Sequence, residues 1–310
     1  MHLNKKSKIF LAGHRGMVGS SILNHLRKKK YKFIYTKTKR SLDLRDQNKT
    51  ENYLRSLKPD FVIIAAARVG GIYANEKYKA NFIYENLVIQ NNLIHSSYLA
   101  GVKKLIFLGS SCIYPKLSPQ PIKEEYLLSG KLEPTNDAYA IAKIAGFKMC
   151  EAYNKQYNLN YVCLMPTNLY GPNDNYDTLN SHFYPALIKK IYYAKLKNKK
   201  FIKIWGNGKP KRELMYVDDL ANACEFFLKK KTKHTLINVG TGQEKSIENF
   251  AKFIMKKLNI KLKIRKDVKK PNGTPRKILN SNIARGYGWR PKFSLDKGFD
   301  LTYKDFLDNL

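Results

Sequence analysis

The stretch Ile9-Phe10-Leu11-Ala12-Gly13-His14-Arg15-Gly16-Met17-Val18-Gly19 decides the fold. Four apolar residues read as a buried strand, and three glycines spaced G-x-x-G-x-x-G follow at once. Val18, Ile22, Leu23 and Leu26 then repeat on one helical face. Strand, glycine turn and helix in that order form the context of a dinucleotide-binding fingerprint. The glycines permit a tight turn and close backbone approach, and the helix N-terminus can receive a pyrophosphate. The spacing departs from the more usual G-x-G-x-x-G.

The next strand, residues 32–35, ends where dinucleotide preference is set. A carboxylate there would accept from a ribose 2′-hydroxyl. This chain instead has Thr36-Lys37-Thr38-Lys39-Arg40, with no acid until Asp43. With Arg15 from the glycine turn, that cluster would attract a 2′-phosphate, so NADPH is the expected cofactor.

Beyond it the pattern alternates. A helix is expected over residues 47–57, a buried strand over 61–67, a long helix over 78–99 and a strand over 103–108. After a helix running to about residue 157 comes another strand, 161–165. Strands alternating with helices give an α/β fold: a doubly wound parallel sheet of Rossmann type. The rhythm breaks at the polar, turn-rich segment 173–181. A helix over 183–196 and a turn at 205–210 follow. The α/β pattern returns with a strand at 214–217, a helix from 218 and a strand at 237–240. The remainder, including the turn 271–277, reads as a loop-and-helix cap. The expected organisation is a Rossmann domain of residues 1–170 plus about 213–242, with a smaller mixed α/β substrate domain of about 171–212 plus 243–310.

A second motif carries chemistry. The strand ending at Leu108 leads into Gly109-Ser110-Ser111-Cys112, and Tyr139 and Lys143 follow, four residues apart and so on one helical face. A phenol with a pKa near ~10 is a poor acid or base at neutral pH, and an adjacent ammonium is expected to draw it down. Ser110 would hydrogen-bond a carbonyl and hold it against the tyrosine. This is the chemistry of moving hydride at a ketone.

Composition sets bounds. The 310 residues suffice for a full core, and no apolar run approaches the roughly eighteen residues that span a bilayer. Cys112, Cys150, Cys163 and Cys224 are widely spaced, which suggests free thiols in a reducing cytoplasm and no metal site. The formal charge of +34 comes from lysines scattered through all segments, without a basic tail. It reads as diffuse bias with a local contribution to binding a phosphorylated ligand. A non-catalytic basic module for nucleic acid is the competing reading from another class. Neither nucleic acid nor membrane is the expected partner.

Taken together, these blocks resemble the GDP-L-fucose synthase family of extended short-chain dehydrogenase/reductases. The resemblance is carried by Gly13 through Gly19 and by Gly109-Ser110-Ser111-Cys112-Ile113-Tyr114-Pro115. Glu133-Pro134-Thr135-Asn136 with Tyr139-Ala140-Ile141-Ala142-Lys143 adds to it, as do Met165-Pro166-Thr167-Asn168-Leu169-Tyr170-Gly171-Pro172 and Gly273-Thr274-Pro275-Arg276-Lys277. It spans essentially the whole chain. The resemblance implies 3,5-epimerisation of GDP-4-dehydro-6-deoxy-D-mannose followed by NADPH-dependent reduction of its C4 ketone. It makes Tyr139 the proton donor to the C4 oxygen, Lys143 its tuner and ribose contact, and Ser110 a donor to the carbonyl. Cys112 and His182 become the acid–base pair of epimerisation.

The cofactor contacts it implies are Gly13, His14, Arg15, Gly16, Met17, Val18, Gly19, Lys39, Arg40 and Ala66. Leu108, Gly109, Ser110, Ser111, Tyr139, Lys143, Pro166, Thr167, Asn168, Leu169 and His182 complete that set. Substrate contacts would be Lys190, Trp205, Arg212 and Asn272, and a homodimer is expected by analogy. In two places the chain departs from the family pattern: Asn272 stands where an acid is expected, and Lys39 where an arginine is. The nearest rival is another NAD(P)-dependent nucleotide-sugar epimerase or dehydratase of the same superfamily.

Overall fold

The computed structural model describes residues 2–177, 181–270 and 272–310. Thr178, Leu179, Asn180 and Pro271, which fall in two segments read as turns, lie outside the described residues. The glycine stretch is built as expected: β1 (Lys8–Ala12), a turn, then α1 (Met17–Lys28). After it come β2 (Phe33–Tyr35), α2 (Gln47–Leu57), β3 (Phe61–Ile64), α3 (Ile72–Lys77), α4 (Lys79–Leu99) and β4 (Lys104–Leu108). The helix bearing Tyr139 and Lys143 is α5 (Asp137–Tyr157), followed by β5 (Asn160–Pro166) and β6 (Asn168–Tyr170). Next are α6 (Phe183–Leu196), β7 (Phe201–Trp205), β8 (Lys211–Tyr216), α7 (Val217–Lys229) and β9 (Leu236–Val239). The chain closes with β10 (Glu244–Ser246), α8 (Ile247–Lys257), β11 (Lys263–Asp267), β12 (Arg276–Lys277), α9 (Asn282–Gly286) and α10 (Leu295–Asp308).

The main sheet runs β2-β1-β3-β4-β5-β9, and every pairing in it is parallel. Its strands are continuous apolar runs because both faces are covered. Ile9, Leu11, Phe61 and Ile63 join one buried cluster, while Phe10, Ala12, Val62 and Ile64 join the other. The sheet is therefore doubly wound. A third cluster lies in the C-terminal lobe, where Tyr184, Leu187, Ile188 and Ile191 of α6 meet Phe250 and Ile254 of α8.

Two small sheets frame that lobe. One is β10-β8-β12 with β6 paired to β8, and the other is the parallel pair β11-β7. Sequence reading expected a turn at Trp205 and a loop-and-helix cap after residue 243; the structure adds β7, β10, β11 and β12. Glu213 on β8 ties the two lobes together. Its fully buried carboxylate accepts from Gly242 N–H at 2.7 Å and from Leu279 N–H at 2.9 Å. Its carbonyl accepts from Thr167 and Asn168, both at 3.1 Å.

Candidate active site

Strand ends place the reactive groups. Gly109 continues β4 by donating to the Leu164 carbonyl at 3.0 Å. A side chain at Gly109 would meet Met165 Sδ at 2.1 Å, so the methionine lies against the glycine backbone and would have to move aside for any larger residue. Ser110 is extended and caps a single turn that carries Cys112. Its Oγ accepts from the Cys112 amide at 3.4 Å and the Cys112 thiol at 3.2 Å. With two donors on the oxygen, its own O–H is left to face a carbonyl.

Helix α5 is held tightly by small residues. At Gly146 a Cβ would lie 2.5 Å from the Phe107 ring, and Gln90 Nε2 donates to Ala142 O at 2.6 Å. That docking buries Lys143, whose Nζ donates to the Leu108 carbonyl at 2.9 Å and lies 5.8 Å from the Tyr139 ring centroid. Desolvation lowers Lys143 to about 8. Tyr139 packs edge-on against Phe82 at 6.2 Å, and its phenol moves the opposite way to expectation. Burial first, and the charge of Cys112 second, raise it well above the usual tyrosine range. The ammonium beside it does not outweigh desolvation. Tyr139 thus keeps its proton, as a donor must.

These residues line one cleft of about 380 Å³ between the sheet's C-terminal edge and the second lobe. Met17, Val18, Leu108, Gly109, Ser110, Ser111, Cys112, Tyr139, Lys143, Pro166, Thr167, Asn168, Leu169, His182, Lys190, Trp205, Arg212 and Asn272 are all on its walls. His182 lines the cleft at the N-terminus of α6, where its side chain caps nothing. Desolvation and the nearby Lys277 ammonium hold it below the usual imidazole range. Lys190 and Lys270 flank the Trp205 ring at 5.9 and 5.5 Å, a cationic and aromatic grip suited to a nucleotide.

Other expected residues fall elsewhere. Gly13, His14, Arg15 and Gly16 form the turn just before Met17. Lys39 and Arg40 are exposed past β2, outside the cleft lining. Ala66 packs against the core while Ala65 and Ala67 face the cleft. Asn272 reaches the cleft, but its Oδ1 accepts from the Asn207 amide at 2.8 Å, so that oxygen is committed to holding a turn.

The dinucleotide cradle can be tested on its own geometry. A Cβ on Gly13 would lie 2.5 Å from the Ala66 nitrogen, and one on Gly19 would lie 2.0 Å from the Gly13 carbonyl oxygen. Positions 13 and 19 are therefore closed to anything but glycine, whereas Gly16 has room for a side chain. Gly16 gives α1 no side-chain cap, which leaves its first N–H groups directed at the space above β1. His14 Nδ1 is buried there without a partner among the described residues. The residues fit a dinucleotide pyrophosphate.

A family model, the NAD dependent epimerase/dehydratase family, matches residues 9–240. The chain belongs to the NAD dependent epimerase/dehydratase family. Among its members, this chain is 49% identical to a putative GDP-L-fucose synthase 2 of Arabidopsis thaliana, over 99% of this chain and 94% of that protein. It is 48% identical to a GDP-L-fucose synthase of Sinorhizobium fredii, over 100% of this chain and 98% of that one. Among solved structures, the GDP-mannoheptose C4 reductase from Campylobacter jejuni with NADP bound superposes with a TM-score of 0.90 at 34% identity, covering 98% of this chain and 99% of that chain.

Within the epimerase/dehydratase fold, sequence reading missed one cleft wall. Val69, Gly70, Gly71, Ile72 and Asn75 line the cavity, as do Glu133, Thr135 and Asn136. The Gly70-Gly71 pair after β3 was the available signal. Glu133 sat inside a recognised block without a role.

Proposed function

We propose that the protein converts GDP-4-dehydro-6-deoxy-D-mannose to GDP-L-fucose, epimerising C3 and C5 and then reducing the C4 ketone. The observation that carries this reading is Cys112. Its thiol sits 3.2 Å from Ser110 Oγ in the same cleft as Tyr139, Lys143 and His182. A ketone reductase needs only the serine, tyrosine and lysine. A thiol and an imidazole sharing that cleft add a base and an acid for the carbons beside the carbonyl.

The steps follow from the groups present. The C4 carbonyl acidifies its neighbouring C–H bonds, and the hydroxyls of Ser110 and Tyr139 stabilise the enolate oxygen that forms. Cys112 takes the proton as base, and His182 returns one on the opposite face. An imidazolium held below its usual range gives up its proton readily. The glycine turn and the basic residues Arg15, Lys39 and Arg40 would hold NADPH, which when bound would supply the hydride for reduction at C4. Tyr139 gives its proton to the C4 oxygen, and Lys143 restores the charge balance behind it. Arg212, Lys190 and Trp205 hold the GDP moiety.

The same reading makes residues 1–170 plus about 213–242 the cofactor domain and the rest the substrate domain. A homodimer through α4 and α5 is supported by Tyr78, Tyr84 and Ile141, which are exposed there. Free buried cysteines suit the cytoplasm. No helix among the described residues is long and apolar enough to cross a membrane.

The test is incubation with GDP-4-dehydro-6-deoxy-mannose and NADPH, following absorbance at ~340 nm and identifying the sugar by NMR. Loss of absorbance with GDP-L-fucose as product is expected. Turnover of GDP-mannose alone would mark a dehydratase. Reduction without inversion at C3 and C5 would mark a simple C4 reductase.

A further inference from the structure

Arg212 of β8 and Lys277 of β12 are direct partners in a parallel ladder, so two cations stand side by side in the cleft wall. Like charges opposite one another across strands weaken the pairing. Burial adds to the cost, lowering Arg212 to about 10 and holding Lys277 below the usual ammonium range. A carboxylate must offset this, and among the described residues that line the cleft with both cations the one acid is Glu133, from the loop before α5.

Glu133 is 9% exposed. It lines the main cleft and also a side pocket of about 10 Å³, shared with Cys112, Asn136, Thr274 and Lys277 and large enough for about one water. Its charge acts on Arg212 and on Lys277, favouring the protonated form of each. On the outer side, Lys116 Nζ lies 3.0 Å from Oε2, yet no donor among the described residues meets that oxygen with hydrogen-bonding geometry. Thr135 reaches Oε1 only at 3.4 Å. A buried carboxylate so lightly hydrogen-bonded is held by charge.

Lys277 links this cluster to the epimerisation pair. Its ammonium acts on His182, and Cys112 acts on it in turn. We propose that Glu133 is a positioning residue, the internal counter-ion that lets Arg212 and Lys277 share the cleft wall beside Lys116, lowering the net charge of these three cations from three to two for a diphosphate and for Cys112. This rests on the nucleotide-sugar reading of the cleft.

The test is Glu133→Gln, which keeps the shape and removes the charge. With the carboxylate gone, the three cations present their full charge. Affinity for GDP measured by calorimetry should then rise roughly threefold to tenfold. Alkylation of Cys112 by iodoacetamide near neutral pH, read by mass spectrometry, should quicken by a similar factor. KM for the nucleotide sugar should fall together with kcat, and Glu133→Asp should return all these readouts toward wild type.

A merely structural Glu133 would weaken GDP binding and lower the melting temperature in both variants. That outcome overturns the proposal, as does a folded Glu133→Gln with unchanged GDP affinity and alkylation rate. Should Glu133→Gln not fold, the double variant Glu133→Gln/Arg212→Gln, which restores the charge balance, must recover the fold; one that stays unfolded overturns the proposal. The alkylation arm uses no nucleotide sugar, so it still decides the matter if the wild-type enzyme acts on another substrate.

Discussion

Cys112 and Tyr139 share one cleft but are asked for different steps, so single substitutions should separate them. Cys112→Ser replaces a thiol by a hydroxyl that is a far weaker acid. Solvent deuterium uptake at C3 and C5 should disappear while NADPH still binds with near wild-type affinity. Full exchange in that variant would remove Cys112 from the role of base. Tyr139→Phe should do the reverse, leaving exchange measurable and cutting C4 reduction by about 10²–10⁴-fold.

Lys143 adds a stability test with a definite sign. It is 3% exposed, and its folded value of about 8 lies below the free-lysine value of 10.5. Between those pH values the unfolded chain holds a proton that the folded one does not, so this group adds stability as pH rises from about 8 to 10.5. Below 8 the full burial cost remains, about 3 kcal/mol at one pKa unit per 1.36 kcal/mol. Lys143→Met removes that cost but leaves the Leu108 carbonyl without its donor, a loss of about 1–3 kcal/mol. Its stability at neutral pH should therefore match or exceed wild type. In urea melts at pH 7 and 9.5, wild type should gain on the variant at the higher pH, and a constant gap would contradict the burial argument.

At the scale of elements, the glycine turn and α1 were legible because sterics leave so few alternatives. Gly19 sits inside a helix, where alanine would ordinarily help by about 1 kcal/mol. Here a Cβ would fall 2.0 Å from the Gly13 carbonyl oxygen, a backbone atom that cannot give way. Gly19→Ala should cost about 3 kcal/mol in chemical denaturation and abolish NADPH binding by fluorescence. Past β2, Lys39→Asp/Arg40→Asp should reduce the NADPH-over-NADH preference in kcat/KM by roughly tenfold or more, as a carboxylate repels the 2′-phosphate.

The bounds of α2 and α6 and the run of main-sheet strands were readable from apolar periodicity. The ribbon of β7 and β11 was not. In β7, Ile202 and Ile204 are buried while Lys203 is exposed, a period-two pattern in only five residues. Its partner reads Lys-Ile-Arg-Lys-Asp, about sixty residues on. Such short pairs take their stability from the helix packed over them, and no local signal reports that. The candidate site divides in the same way. Tyr139, Lys143 and Ser110 were marked by spacing within two segments, whereas Cys112 and His182 were marked only by the family resemblance. Glu133 becomes interpretable only once β8 and β12 bring Arg212 and Lys277 together.

For the whole molecule, the open question is what a net charge of +34 does. Its lysines occur on both lobes, from Lys28 to Lys30 at the end of α1 to Lys199, Lys200 and Lys203 around β7, and all of these but none of the core are exposed. The acids present are largely spent in pairs such as Arg45–Asp43, Arg55–Glu51 and Lys257–Asp300. Salt acts on these two populations in opposite directions. It weakens exposed pairs, but each of those contributes only about 0–1 kcal/mol. It also relieves the repulsion among the excess cations, which acts over a Debye length of about 30 Å at 0.01 M and about 10 Å at 0.1 M. With the cations so far in excess, relief should win. The melting temperature should rise by roughly 5 °C between 0.01 and 0.3 M NaCl, at about 2–4 °C per kcal/mol for a chain of this class. The same measurement in the presence of duplex DNA separates diffuse charge from a dedicated surface. A nucleic-acid module would be stabilised by DNA at low salt and lose that stabilisation steeply as salt rises. A chain whose basicity is spread over both lobes should melt at a temperature set by salt alone at moderate ionic strength. A melting temperature that falls with salt would mean that ion pairs, and not repulsion, dominate the surface.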